Sequence, residues 1–431
     1  FHTVTGWGCK LYEQDWLAFQ YRKVDALQTQ FGLGDEWMNA MDDAAAHWSL
    51  PIQFCMPSIG FYIASSGMPN VTQIRSSQDF GRDSWENVRK RWMEHGQLSL
   101  LAAALGMVPS KDVLLTTRQG GLEAGNWEET EALLATLSRG PVGIGDGFGF
   151  TDSGLVSKMC TEDGVLVQPD RPALPTEASV TGDADAAGLP MMLETSSTVD
   201  GLTWRYVMTL DLKPIPPPSY SLDPVPPSPI PTTRAVSSGF PPGGYVAYDY
   251  LHDRVLGLGG GSNSVALTNG TAGQSYTVLA PILSGGLSII GDISRFVTAS
   301  PSRISSIRLS NTNGEYYIEF EMNGPANSAV RLVVFDGEGQ PTLQINGEQA
   351  PSEVAKTRLA LLRRISPAPP GVSAGLGQTD GLWYFSFHLP ASGGPIKLRL
   401  KSATDDFPGP IISARGPDST SNGEANGRGV K

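Results

Sequence analysis

The chain changes character once, and that change limits what it can fold into. Up to about residue 165, short apolar runs alternate with stretches of helical periodicity, the pattern of parallel strands joined by helices. Val4–Trp16, Ile52–Met56, Val71–Ser76, Val113–Thr117 and Val142–Ile144 read as strands. Between them Asp25–Trp48, Trp85–Met107 and Trp127–Arg139 read as helices, and Thr151–Thr161 as a last helix capped by Asp152 or Ser153. In the first of these, Leu27, Phe31, Met38, Met41 and Ala45 recur at roughly helical spacing. Five parallel strands suffice for an open sheet, or for the last five strands of an eight-stranded barrel, and composition does not choose between them.

Beyond that point helical periodicity stops. Turn-punctuated β-type runs such as "LTWRYVMTLDL", "SYTVLAPIL", "YYIEFEMNG" and "IKLRLKS" take over, the pattern of antiparallel β-sandwich units. "KPIPPPSYSLDPVPPSPIPTTRA", Lys213–Ala235, is proline-rich and reads as an extended linker or insertion. The expected plan is an α/β unit over 1–165 and the start of a β domain over 166–212. A proline-rich linker or insertion follows over 213–243, then a β-sandwich region over 244–405 and a disordered tail over 406–431.

A formal net charge of −12 argues against a nucleic-acid partner, because phosphates need a basic face. The 5 histidines show no HxH or HExxH spacing, so no metal and no cofactor is expected. The 3 cysteines, Cys9, Cys55 and Cys160, cannot build a disulfide framework, and Cys55 reads as a small buried hydrophobe. No apolar run is long enough to cross a membrane as a helix. Two Asn-x-Thr sequons, at Asn70 and Asn269, tilt toward a secretory or extracellular location.

Functional groups in parallel α/β structures gather at the carboxyl ends of strands. Those ends carry Glu13, Asp15 and Trp16, then Gln53 and Cys55, then Arg75 and Asp79, then Thr116, Thr117 and Arg118, and finally Asp146. Glu13 and Asp15 stand two apart and share one side of their strand. Acids at several strand ends, with an arginine and aromatic rings, suit a carbohydrate site in which two carboxylates work on a glycosidic bond. Each acid also has an ordinary reading: Asp15 and Asp79 as helix caps or turn residues, Arg75 as the partner of a structural acid.

Several segments, in order, resemble glycoside hydrolase family 36 of the raffinose synthase and alkaline α-galactosidase type. "QIRSSQDF" is similar to the family's strand-six segment, and "SLLAAALGMVPSKDVLLTT" to the following helix and strand seven. "LSRGPVGIGD" resembles its strand-eight segment, and "MCTEDGVLVQPDRPALPT" its exit from the barrel. The resemblance spans Gly6 to Thr176 and implies the second half, strands four to eight, of a (β/α)8 barrel followed by a β-sandwich region. It further implies a retaining double displacement on an α-glycoside, with Asp15 as nucleophile and Asp79 as acid/base. Glu13, Trp16, Gln53, Arg75, Arg118 and Asp146 would then bind substrate. An oligosaccharide or glycoconjugate is the implied partner, and the isolated chain is expected to be inactive without the missing half of the barrel.

The chain departs from the family at Glu13, which replaces the lysine of a Lys-x-Asp strand end. A neighbouring anion raises the pKa of one of two acids unless a cation such as Lys10 or Arg118 compensates. That departure keeps open a carbohydrate-binding or structural protein that retains the fold without catalysis, and, less favoured, an unrelated open-sheet α/β enzyme.

Overall fold

The computed structural model describes residues 1–79, 85–117, 127–181, 190–210, 219–221, 244–259, 264–266, 274–283, 286–312, 315–336, 341–349, 381–393 and 395–402. Four short parallel strands open the fold: β1 Tyr12–Gln14, β2 Ile52–Phe54, β3 Val71–Arg75 and β4 Val108–Ser110, hydrogen-bonded in that order. Strand alternation splits the sheet into two faces of opposite chemistry. Ile52 and Phe54 of β2 and Val71 and Ile74 of β3 bury against Leu17, Met38, Phe61, Tyr62 and Ala102 from the surrounding helices. Val71 and Ile74 are three apart, yet both join that core, because the register slips by one residue between Ile52 and Gln53. The opposite face carries Glu13, Gln53, Gln73, Cys55 and Arg75.

The helices around this sheet are Leu17–Lys23, Asp25–Thr29, Leu33–Trp48, Ile59–Ser65 and Trp85–Ala104, followed by Trp127–Leu137 and Ser153–Ser157. The last is capped as the sequence suggests, with Asp152 Oδ1 accepting from Gly154 N at 2.8 Å and Leu155 N at 3.1 Å. Val4–Trp16 is not one strand. It folds as the helix His2–Gly6, a turn at Gly8 with φ of 85°, and the three residues of β1.

The remaining sheets are antiparallel. Six strands lie in the spatial order Arg254–Gly259, Tyr245–Asp249, Ser275–Pro281, Leu202–Leu210, Met191–Val199 and Leu174–Pro175. A second sheet orders Leu287–Asp292, Ala329–Asp336 and Leu382–His388, and a third orders Ile304–Thr312, Glu315–Met322, Ile396–Lys401, Thr342–Ile345 and Glu348–Gln349. Ser219–Ser221 pairs with Ser264–Ala266. Trp204 Nε1 of the first sheet donates to Ile289 O of the second at 2.7 Å, and Tyr276 OH donates to Phe296 O, in the loop that follows Leu287–Asp292, at 2.7 Å.

The expected half-barrel is therefore corrected. Among the described residues the parallel part is a four-stranded open sheet, and the fold is mixed α/β with several antiparallel sheets. Val113–Thr117 and Val142–Ile144 contribute only an isolated parallel bridge, Leu114 to Ile144. The composition explains why: "GPVGIGD" has a proline and glycines where a ladder needs N–H groups and β-forming side chains. Apart from Ser219–Ser221, the proline-rich stretch 213–243 lies outside the described residues, as does the tail 406–431.

Candidate active site

The polar face of the parallel sheet holds a compact cluster at the carboxyl ends of its strands. Arg75, the last residue of β3, is buried at its centre. Its Nε donates to Ser77 O at 2.5 Å, its Nη1 to Cys55 Sγ at 3.0 Å and to Asp112, and its Nη2 to Asp79. Cys55 Sγ in turn lies 3.8 Å from Asp112 Oδ2. Four consecutive strand ends thus converge: Asp15 after β1, Cys55 after β2, Arg75 and Asp79 at β3, and Asp112 after β4.

Asp15 sits where the chain leaves β1 and enters a helix at once. Trp16 adopts a left-handed conformation, φ 56°, as the first residue outside Leu17–Lys23, and its N–H donates to Asp15 Oδ1 at 2.7 Å. A left-handed tryptophan is unusual and fixes the direction of the Asp15 carboxylate. The Trp16 ring is half exposed and meets Phe19 edge-on at 5.4 Å.

Asp112 is the member that strand reading overlooks. The residues Pro109–Asp112 look like a turn before Val113–Thr117, yet β4 forms one step earlier, over Val108–Ser110, paired with β3. Pro109 is tolerated there because β4 is an edge strand of the described sheet. Next to Asp112, Lys111 is buried and pairs with Glu131 at 3.0 Å, and Glu131 also accepts from Trp92 Nε1 at 2.6 Å. That buried pair anchors the strand end and leaves Asp112 to Arg75.

Charge and burial act together on the cluster. Burial, and next the hydrogen bond to Asp15, push the Cys55 thiol far above the ordinary thiol range, against the pull of Arg75. Burial also raises the Asp112 carboxyl, with Arg75 pulling the other way. Burial acts to lower Arg75, but Cys55, Asp112 and Asp79 outweigh it and hold the guanidinium charged. Glu13 also hydrogen-bonds Cys55 and acts in the same upward direction as Asp15. One atom each from Glu13, Cys55 and Asp112 lies within 4.8 Å of the others, a grouping able to hold a metal ion.

The other expected substrate residues separate into three groups. Gln53 is buried on the cluster's face beside Glu13 in register. Asp146 instead accepts from Thr116 N at 2.9 Å and Thr116 Oγ1 at 2.5 Å, and so clamps the Leu114–Ile144 bridge. Arg118 lies outside the described residues.

Set beside known proteins, the chain matches no protein-family profile and no curated protein.

Proposed function

We propose that this polar face is the site of a retaining α-glycosidase or transglycosidase of the kind the family 36 resemblance implies, with Asp15 as nucleophile and Asp79 as acid/base. The observation that carries this reading is the gathering of three acids from separate strand ends: Asp79 and Asp112 meet one buried arginine, and Asp15 meets Cys55, which that arginine also touches. In such a reaction an Asp15 oxygen bonds to the anomeric carbon while the glycosidic C–O bond breaks and Asp79 gives its proton to the departing oxygen. Asp79 then takes a proton from water or an acceptor hydroxyl, whose oxygen displaces Asp15. The Trp16 N–H orients the Asp15 carboxylate, and the half-exposed Trp16 ring offers a surface for the apolar face of a sugar.

Aryl α-glycosides of graded leaving-group acidity test the two roles. Asp15→Ala removes turnover by roughly a thousandfold or more on all of them. Asp79→Ala costs as much on poor leaving groups but little on acidic phenols, which depart without a proton. Near-normal turnover in Asp15→Ala overturns the assignment.

A second reading, a carbohydrate-binding protein without catalysis, has its own support. Glu13 adds an anion beside Asp15, and Arg75 spends its donors on Ser77, Cys55, Asp112 and Asp79. Glycan binding with no hydrolysis of any aryl glycoside over long incubation favours it.

A further inference from the structure

We propose that Glu13, Gln53, Cys55 and Asp112 form a binding site for one borderline divalent metal ion of the Zn2+ type. The inference stands on the donor set alone and not on the glycosidase reading.

The first observation is the grouping itself: a carboxylate from β1, the sulfur after β2 and a carboxylate after β4, with one atom of each within 4.8 Å of the others. The second is independent and concerns Gln53. Its side chain is 5 % exposed, and its Oε1 is buried with no hydrogen-bond donor. Gln53 stands two residues before Cys55 on β2 and is the register partner of Glu13 on β1. Both relations turn its amide to the face where Glu13 and Cys55 meet. A buried carbonyl oxygen without a donor is costly and uncommon. A carboxylate oxygen only accepts, so the carboxylates of this face offer Gln53 no donor. Gln73, the register partner of Gln53 on β3, also has a buried Oε1 without a donor.

The face therefore presents acceptors in excess. Glu13, Asp15, Asp79 and Asp112 are acids, and Arg75 is the cation that meets Asp79 and Asp112. A bound cation answers both the charge and the orphaned carbonyl. The donor types select among cations: a thiolate with carboxylate and amide oxygens suits Zn2+, whereas Mg2+ and Ca2+ take oxygen alone. Bond lengths of ~2.0–2.3 Å require the donors to draw closer than they stand, and exposed Glu13, on the rim, is the group able to swing inward. Arg75 Nη1 shares Cys55 and Asp112 with the ion, so it must give way in part.

Cysteine binds such an ion as the thiolate, so coordination by Cys55 displaces a thiol proton. Calorimetry with ZnCl2 alone, on the full chain near pH 7.5, is expected to show one ion bound per chain, with a heat that varies with buffer ionisation as about one proton is released. Titration with Co2+ is expected to give a sulfur-to-metal charge-transfer band. Cys55→Ser removes that band, while Glu13→Gln, a substitution on the exposed rim that leaves the fold intact, weakens Zn2+ binding by at least about tenfold. Cys9→Ser changes neither, since Cys9 is exposed and outside the cluster. Mg2+ and Ca2+ produce no heat above dilution. Zn2+ affinity unchanged in Glu13→Gln, a charge-transfer band that follows Cys9 rather than Cys55, or no stoichiometric Zn2+ binding by the folded chain each overturns the site.

Discussion

At the scale of single residues, Arg75 organises everything the candidate site does. Its guanidinium touches a thiol, two carboxylates and a backbone carbonyl at once, and it does so while buried. Its partners are unequal: the Asp112 side chain is 17 % exposed and that of Asp79 63 %. Removing the cation strands a half-buried carboxylate, whereas removing Asp79 loses only a wet ion pair. Arg75→Met is therefore expected to cost about 3 kcal/mol, at the low end for breaking a buried pair, and Asp79→Asn less than about 1 kcal/mol. Urea unfolding of the two variants side by side checks the ranking, and equal losses contradict it. Glu13 and Asp15 show how far residue-level reading reaches. Their spacing places both on one face, and both act on Cys55. The role of Cys55 as the contact between Arg75 and the two acids has no such signal, because a buried cysteine looks the same whether or not it has charged neighbours.

At the scale of elements, the site depends on where β4 stops. Gly140 is packed against that strand so closely that a Cβ there would lie 2.7 Å from Pro109 O and 2.8 Å from Ser110 Cα. Backbone atoms cannot give way as a flexible side-chain tip can, so Gly140→Ala is expected to destabilise by about 1–3 kcal/mol. It should also disturb the neighbouring Asp112. Gly143→Ala meets nothing within 4 Å and is the matched control, expected within about 0.5 kcal/mol of wild type. Thermal or urea melts of the pair decide it, and a Gly140→Ala protein as stable as Gly143→Ala refutes the packing argument. The same strand shows why part of the fold was legible and part was not. Ile52–Phe54 and Val71–Arg75 announce themselves through β-forming residues whose polar neighbours fall on the opposite face. Val108–Ser110 is disguised by Pro109, which reads as a turn until the edge position is known. The step from strands to a barrel was not legible either. Strand order and closure depend on long-range pairing, and the glycine-rich run after Gly140 pairs only through Ile144 among the described residues.

At the scale of the whole molecule, the segment after the helix Ser153–Ser157 is one tie between the parallel unit and the antiparallel sheets, beside the shared core of Val88, Trp92 and Met93 with Met191 and Leu193. Arg295, buried in the β-rich half, donates to Ser157 O at 2.7 Å and to Glu162 Oε1 at 2.8 Å. Phe296 N donates to Lys158 O at 2.8 Å, and Ser328 Oγ to Glu162 Oε2 at 2.6 Å. Glu162 is the titratable member of this clamp. Partial burial acts to raise its carboxyl, but the Ser328 hydroxyl and Arg295 outweigh it and hold the group below its ordinary value. A carboxyl lowered on folding gives stability that is complete above its unfolded value and lost as pH falls through the folded one. The stability difference between wild type and Glu162→Gln should thus be level from roughly pH 6 to 8 and shrink as the solution is acidified below the ordinary carboxylate range. Because the Glu162 side chain is 43 % exposed, solvent screens the pair and the level difference is expected near 1 kcal/mol rather than the larger figure of a buried bridge. Urea midpoints of both proteins at pH 3.5 and pH 7 read it directly. A difference that is the same at both values shows that the ionised Glu162 carboxylate does not hold the two halves of the molecule together.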